Sequence, residues 1–273
     1  MKKKLGVISG MGDLPLAVAA AAKAKGFHVV AIALEPLVDQ ALAGFVDDIR
    51  RINVGKLGEI IKSLKHAGVE EAVMAGKVPK SLLYKSRIIP DIRAAKLLFS
   101  LKDKSDDSIL LAITEELRKE GITLLKITAF WSEMLVPEGL LTGDRLTEGE
   151  RKDIAFGWKI AKEMGKLDIG QTIVVKDQAV MAVEAIEGTD EAIRRGSRYA
   201  NGGAVVVKVS KPEQDMRFDV PAVGLKTIET MEEVRARVLA LEAGKTILIQ
   251  RDNLIGKAKK AGIKVAGYRT NVD

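Results

Sequence analysis

Carboxylates and cationic side chains crowd one stretch in the second half of this 273-residue chain. Glu184 and Glu187 precede Asp190, and Lys208 and Lys211 precede Asp215, Arg217 and Asp219. Carboxylate oxygens are hard donors suited to Mg²⁺, and lysine and arginine neutralise phosphoryl charge, so the mixture is what phosphoryl transfer requires. If residues 215–220 are extended, Asp215, Arg217 and Asp219 share one face while Met216, Phe218 and Val220 share the other. An exposed ladder of ion pairs would alternate in the same way. Such a ladder accounts neither for the two upstream glutamates nor for two lysines at the end of the preceding apolar run. Thr189 or Asp190 also reads as the N-cap of a helix. A second candidate is the loop Ser9-Gly10-Met11-Gly12-Asp13-Leu14-Pro15. Its glycines let the backbone approach an anion, and a helix start offers N–H groups to a phosphate. The third glycine of the dinucleotide fingerprint is missing, so a tight turn without a ligand is an equal reading.

The elements that must position these groups alternate. Apolar runs bounded by Gly or Pro predict strands over Leu5–Ser9, Val29–Leu34, Asp48–Val54 and Glu71–Ala75, with helices Leu14–Lys25 and Leu57–His66 between them. Helices Ile92–Leu101 and Ser108–Glu120 and a strand Ile122–Ile127 follow. The expected fold is α/β: an N-terminal Rossmann-like parallel-sheet domain over residues 1–130, a linker over 131–146 and a second mixed α/β domain over 147–273. In the second domain the pattern predicts helix Glu148–Met164 and a hairpin, Thr172–Val175 with Ala179–Ile186, turning at Asp177-Gln178. Helix Asp190–Tyr199, strand Ala204–Val209, a long helix Ile228–Ala243, strand Thr246–Gln250 and a last helix and strand complete it.

Composition narrows the chemistry. There is no cysteine and only two histidines, His28 and His66, which removes thiol nucleophiles, Cys-ligated metals and three-His zinc sites. The hydrophobic content of 47% suits a folded soluble protein, and Gly10, Gly12, Asp13 and Pro15 break the first apolar stretch, so it reads as strand, loop and helix rather than signal peptide. The formal charge is +7, with the excess in residues 77–104, where Lys77, Lys80, Lys85, Arg87, Arg93, Lys96, Lys102 and Lys104 face only Asp91 and Asp103. That run attracts nucleotide phosphates or anionic headgroups, or is a solvated helix surface; few aromatics accompany it, so no nucleic acid is expected. Leu82, Leu83, Ile88, Ile89, Leu97, Leu98 and Phe99 lie beside it and are either core or the wall of a lipid groove.

From Leu167-Asp-Ile-Gly-Gln171, through Glu184-Ala-Ile-Glu-Gly-Thr-Asp190, to Lys208, Lys211-Pro212, Gln214-Asp215, Arg217, Asp219, Pro221, Gly224 and Thr227, the chain resembles the UDP-2,3-diacylglucosamine pyrophosphatases of the LpxI type. Gly10-x-Gly12-x-Leu14-Pro15 and Asp106-Asp107 followed by Leu110 match as well, although Ser105 stands where the pattern has Gly. The resemblance implies two α/β domains and hydrolysis of UDP-2,3-diacylglucosamine to UMP and 2,3-diacylglucosamine 1-phosphate with Mg²⁺, in lipid A synthesis. Asp219 matches the family's essential aspartate and is assigned as metal ligand or water-orienting base. Residue chemistry assigns Lys208, Lys211 and Arg217 to the diphosphate and Glu184, Asp190 and Asp215 to metal or positioning; the glycine loop, Gly10 and Gly12, would hold uridine or phosphate, and Gln171, Thr189 and Gln214, which stand in the resembling motifs, are expected to bind substrate. The expected setting is cytoplasmic, peripheral to the inner leaflet of a Gram-negative cell, with a homodimer as the assembly allowed for. Two other readings compete: a nicotinamide-dependent oxidoreductase, and a nucleotide-lipid binding protein without catalysis.

Overall fold

The computed structural model describes residues 2–79, 88–101, 106–129, 132–212, 214–217 and 220–269. The chain divides into two compact units, Met1–Trp131 with Asp215–Asp219, and Ser132–Gln214 with Val220–Asp273.

In the first unit, strands β1 (Lys4–Ser9), β2 (His28–Glu35), β3 (Asp48–Asn53), β4 (Glu71–Ala75) and β5 (Thr123–Leu124) form an all-parallel sheet in the order β3-β2-β1-β4-β5. This is the order of doubly wound sheets, whose ligands collect beyond the carboxyl ends of the strands. β1 and β2 are apolar at almost every position because helices cover both sheet faces. The covering helices are α1 (Leu14–Ala24), α2 (Leu57–His66), α3 (Ile92–Ser100) and α4 (Asp106–Lys119). Leu64, Ile61, Ile32 and Leu117 anchor one core of this unit. The expected strand over 122–127 shrinks to two residues, because Ile127 has already entered a 3-10 turn.

The second unit is built on a six-stranded sheet. It contains β6 (Gly139–Leu140), β7 (Thr172–Lys176), β8 (Ala179–Val183), β9 (Val205–Lys208), β11 (Val238–Glu242) and β13 (Lys264–Tyr268), in the order β6-β13-β11-β9-β7-β8. β9, β11 and β13 are parallel, while β6, β7 and β8 run antiparallel to their neighbours. A two-strand parallel pair joins β10 (Ala222–Val223) to β12 (Ile247–Leu248). The helices are α5 (Glu148–Lys166), α6 (Thr189–Ala200), α7 (Leu225–Glu233) and α8 (Arg251–Lys260). α5 starts on a complete capping box, Thr147 with Glu150. Its Gly157 is forced by packing, since a Cβ there would lie 2.9 Å from Val175 Cγ2.

Two expectations are corrected. The long helix over 228–243 is α7 followed by β11: Arg235 adopts φ 56° and ends the helix, and Val238–Glu242 is fully buried between β9 and β13. A short apolar run does not declare its own period, and ladder pairing on both sides outweighs the helix propensity of Leu-Ala-Leu-Glu. Residues 216 and 217 form a turn rather than a continuing strand. Among the described residues no helix is long and apolar enough to cross a membrane.

Candidate active site

β9 delivers Lys208 to the carboxyl end of the sheet, where it pairs in register with Thr172 of β7. Lys208 is 4% exposed, and its Nζ donates to Thr189 Oγ1 at 2.8 Å. Thr189 donates in turn to Glu184 Oε1 at 2.9 Å, so ammonium, hydroxyl and carboxylate form one chain. Burial of a charge requires such partners. Glu184 is seated by its own N–H, which donates to Thr172 O at 2.8 Å, and by Gly170, where a Cβ would lie 2.1 Å from Glu184 O. The helix N-cap is Gly188 at φ 85°, not Thr189 or Asp190 as expected. Both of those side chains are therefore released from capping: Thr189 bridges Lys208 and Glu184, while Asp190 Oδ1 accepts from Thr227 Oγ1 of α7 at 2.9 Å.

The turn after β9 is held from several sides. Ser210 N–H donates to Glu242 Oε2 at 2.7 Å and Ser210 O accepts from Lys162 Nζ at 2.8 Å, while Lys162 and Glu242 pair at 2.5 Å. An ion pair thus clasps both polar groups around one residue. Lys245 adds a contact of 3.0 Å to Glu242. Burial pushes the Glu242 carboxyl up, but Lys162, the Ser210 N–H and Lys245 together hold it below the usual glutamate value; burial pulls the Lys162 ammonium down. Gln214 Oε1 accepts from Ser210 Oγ and from Lys211 N–H, both at 2.9 Å, which fixes its amide orientation. Lys211 Nζ reaches Asp168 Oδ1 at 2.5 Å. Two of the expected substrate groups, Gln171 Oε1 and Gln214 Nε2, are buried with no hydrogen-bond partner among the described residues. Buried amide atoms of that kind are costly unless something pairs with them.

Lys162, Asp168, Ser210 and Glu242 were not among the sequence candidates. Asp168 stands inside the quoted Leu167–Gln171 motif and offered a signal; Glu242 offered none while its segment read as helix.

Asp215 and Arg217 belong to the first unit. Both Asp215 oxygens accept from Arg217, with Nη2 to Oδ2 at 2.6 Å, and the guanidinium holds the carboxyl below its usual value against the effect of burial. Asp219 lies outside the described residues, as do Lys80, Leu82, Leu83, Lys85, Arg87, Lys102 and Lys104. Among the described residues no three carboxylates or histidines converge to hold a metal ion. Glu184 and Asp190 each accept from a threonine and Asp215 is taken up by Arg217, so the described residues alone do not assemble the expected Mg²⁺ ligand set.

The glycine loop has a packing reason. A Cβ on Gly10 would lie 2.7 Å from Lys77 O, because Met11 and Lys77 exchange backbone hydrogen bonds of 2.9 and 3.0 Å. Gly12, at φ 94°, faces open space. Gly10→Ala is expected to cost about 1–3 kcal/mol, the usual range for overpacking against backbone, and to lower the midpoint of thermal unfolding. Gly12→Ala would instead strain only the dihedral.

The family model described as the LpxI N-terminal domain matches residues 4–134, and that described as the LpxI C-terminal domain matches residues 137–266. A UDP-2,3-diacylglucosamine pyrophosphatase LpxI from Caulobacter vibrioides is 32% identical over 276 residues, covering 97% of each chain. Among solved structures, the biotin carboxylase domain of a thermophilic 2-oxoglutarate carboxylase is 16% identical with TM-score 0.28, covering 64% of this chain and 35% of its own. Phosphoribosylglycinamide synthetase from Anaerococcus prevotii is also 16% identical, with TM-score 0.26, covering 74% and 43%. Likenesses of that size carry no argument about fold or chemistry.

Proposed function

The chain belongs to the LpxI family, and from that premise we propose that it hydrolyses the diphosphate of UDP-2,3-diacylglucosamine to UMP and 2,3-diacylglucosamine 1-phosphate, with Mg²⁺, at an inner-leaflet membrane surface in lipid A synthesis. The observation that supports it best is the Lys208–Thr189–Glu184 chain at the carboxyl end of β9, next to a turn that carries Lys211 and Gln214. Lys208 and Lys211 neutralise the diphosphate, together with Arg217. Gln214 Nε2 and Gln171 Oε1 take polar atoms of the substrate, and Gly10 and Gly12 hold uridine or phosphate. Asp219 orients the attacking water or ligates metal, with Glu184, Asp190 and Asp215 as further ligands or positioning groups. Bound Mg²⁺ would supply additional positive charge at the phosphates. Phosphoryl transfer needs charge stabilisation and positioning more than covalent help, and these side chains are of that kind.

Incubation of the purified protein with UDP-2,3-diacylglucosamine and Mg²⁺ should release UMP and the lipid 1-phosphate, and a chelator should stop it. Binding without release of UMP would make the protein a carrier, and the proposal would fail.

Glu242 acts in this reading as a positioning residue. Glu242→Gln keeps an acceptor for Ser210 N–H but strands the Lys162 charge. It should cost about 2 kcal/mol, less than breaking a fully buried pair because Lys162 keeps 21% exposure. Turnover should fall about tenfold through displacement of Lys211 and Gln214. Because the folded value of Glu242 is depressed, its contribution is present above the ordinary glutamate range and is lost as pH falls through the lower folded value. Acid unfolding midpoints of the two proteins, with kcat and KM, check this: the wild-type advantage should vanish at low pH.

A further inference from the structure

Among the described residues, helix α3 is anchored on one side only. Asp91 caps it, accepting from Ala94 N–H at 2.8 Å and from Gly58 N–H of α2 at 2.7 Å, and Arg93 bonds Glu116 and Glu120 of and after α4 at 2.7 and 2.8 Å. Leu97 packs in the core with Ala94 and Leu98 against it. The opposite face reads Ile92, Lys96, Phe99, spaced i, i+4, i+7 as one stripe. Ile92 is 78% exposed and Phe99 90%, and Ile89, just ahead of the helix, is 68% exposed. Large apolar side chains gathered in water with a cation between them mark an interaction surface.

We propose that this stripe docks on an anionic bilayer, with Ile92 and Phe99 entering between headgroups and Lys96 meeting lipid phosphate. The inference rests on the proposed function, in which the substrate is a lipid. Charge favours a membrane over a second copy of the chain. Residues 77–104 hold eight basic and two acidic side chains in the sequence; Asp91 is turned into two backbone N–H groups and Arg93 is taken up by Glu116 and Glu120, which still leaves seven basic residues against one acidic. Two copies meeting at the stripe would oppose like charge, whereas an anionic leaflet complements it. The stripe also begins at a useful place. Asp91 N–H donates to Gly55 O, two residues past the carboxyl end of β3, so α3 starts at the sheet edge that carries the Gly10–Gly12 loop. A headgroup plane at that edge would bring a lipid-linked nucleotide where doubly wound sheets take ligands.

The test is co-sedimentation of the full chain with phosphatidylcholine vesicles, with and without phosphatidylglycerol, at rising salt. Binding is expected only with phosphatidylglycerol and should weaken with salt. The double substitution Ile92→Ser with Phe99→Ser should weaken it about tenfold or more, and Lys96→Gln about fivefold. All variants should keep wild-type kcat and KM on detergent-dispersed substrate. A wild type without hydrolytic activity that still binds these vesicles through the stripe would sink the function and leave the docking surface standing. Failure of the wild type to bind, or binding untouched by the substitutions, overturns docking. So does loss of self-association in the variants, which would make the stripe a dimer face, or a raised KM in detergent, which would make it a seat for acyl chains.

Discussion

Lys208→Met is expected to leave a folded protein that turns over about 10²–10³-fold more slowly, the usual loss for one preorganised charge-stabilising group. Methionine keeps the length of the side chain and its contacts in an apolar strand, Val205–Lys208, whose four residues are all buried. What disappears is the ammonium that Thr189 Oγ1 accepts from at the carboxyl end of β9. If Lys208 acts on charge that grows during diphosphate cleavage, kcat falls more than KM rises, because the interaction strengthens beyond the ground state. Steady-state kinetics with UMP as the readout decides the matter. An unchanged kcat with a raised KM would reduce Lys208 to a ground-state anchor. Thermal unfolding of the same variant should show a loss of about 2 kcal/mol, because the buried Glu184 carboxylate loses the cation at the far end of its hydroxyl bridge while the packing is kept.

Asp219→Ala should be the more severe, reducing turnover at least about 10³-fold, as expected where orienting a nucleophilic water and holding charge reside in one carboxylate. Asn at the same position separates the two roles. An amide still offers one oxygen, so a metal-ligand role predicts partial recovery at high Mg²⁺, whereas a base role predicts none at any concentration. Mg²⁺ titrations of the Ala and Asn variants measure this directly, and full activity of Asp219→Ala would remove the residue from the chemistry.

The parallel sheet of the first unit was legible because strands buried on both faces become uninterrupted apolar runs, as in Val29–Leu34 within β2. Glycines after the helices, Gly26 and Gly68 with φ of 84° and 69°, marked where the chain turns back. The second unit was harder to read. Val238–Glu242 carries a helical composition but is claimed by its two neighbours in the sheet, a decision made by residues 33 positions upstream and 26 downstream. The Glu242–Ser210–Lys162 clasp is non-local in the same sense, so no spacing in the chain announces it. The Glu184, Thr189 and Lys208 association was partly legible, since residue types at the ends of successive elements suggested convergence. Its wiring was not, because a glycine with positive φ took over the cap and freed the threonine.

That wiring sets an entry threshold for guests. With the Lys208 proton already directed at a hydroxyl whose own proton points to Glu184, the described part of the network compensates its own charge. A weak or singly charged anion gains little by prying the ammonium loose. A dense double charge would gain more, so the wiring is expected to favour a diphosphate over the common carboxylates of its surroundings without a wall to keep them out.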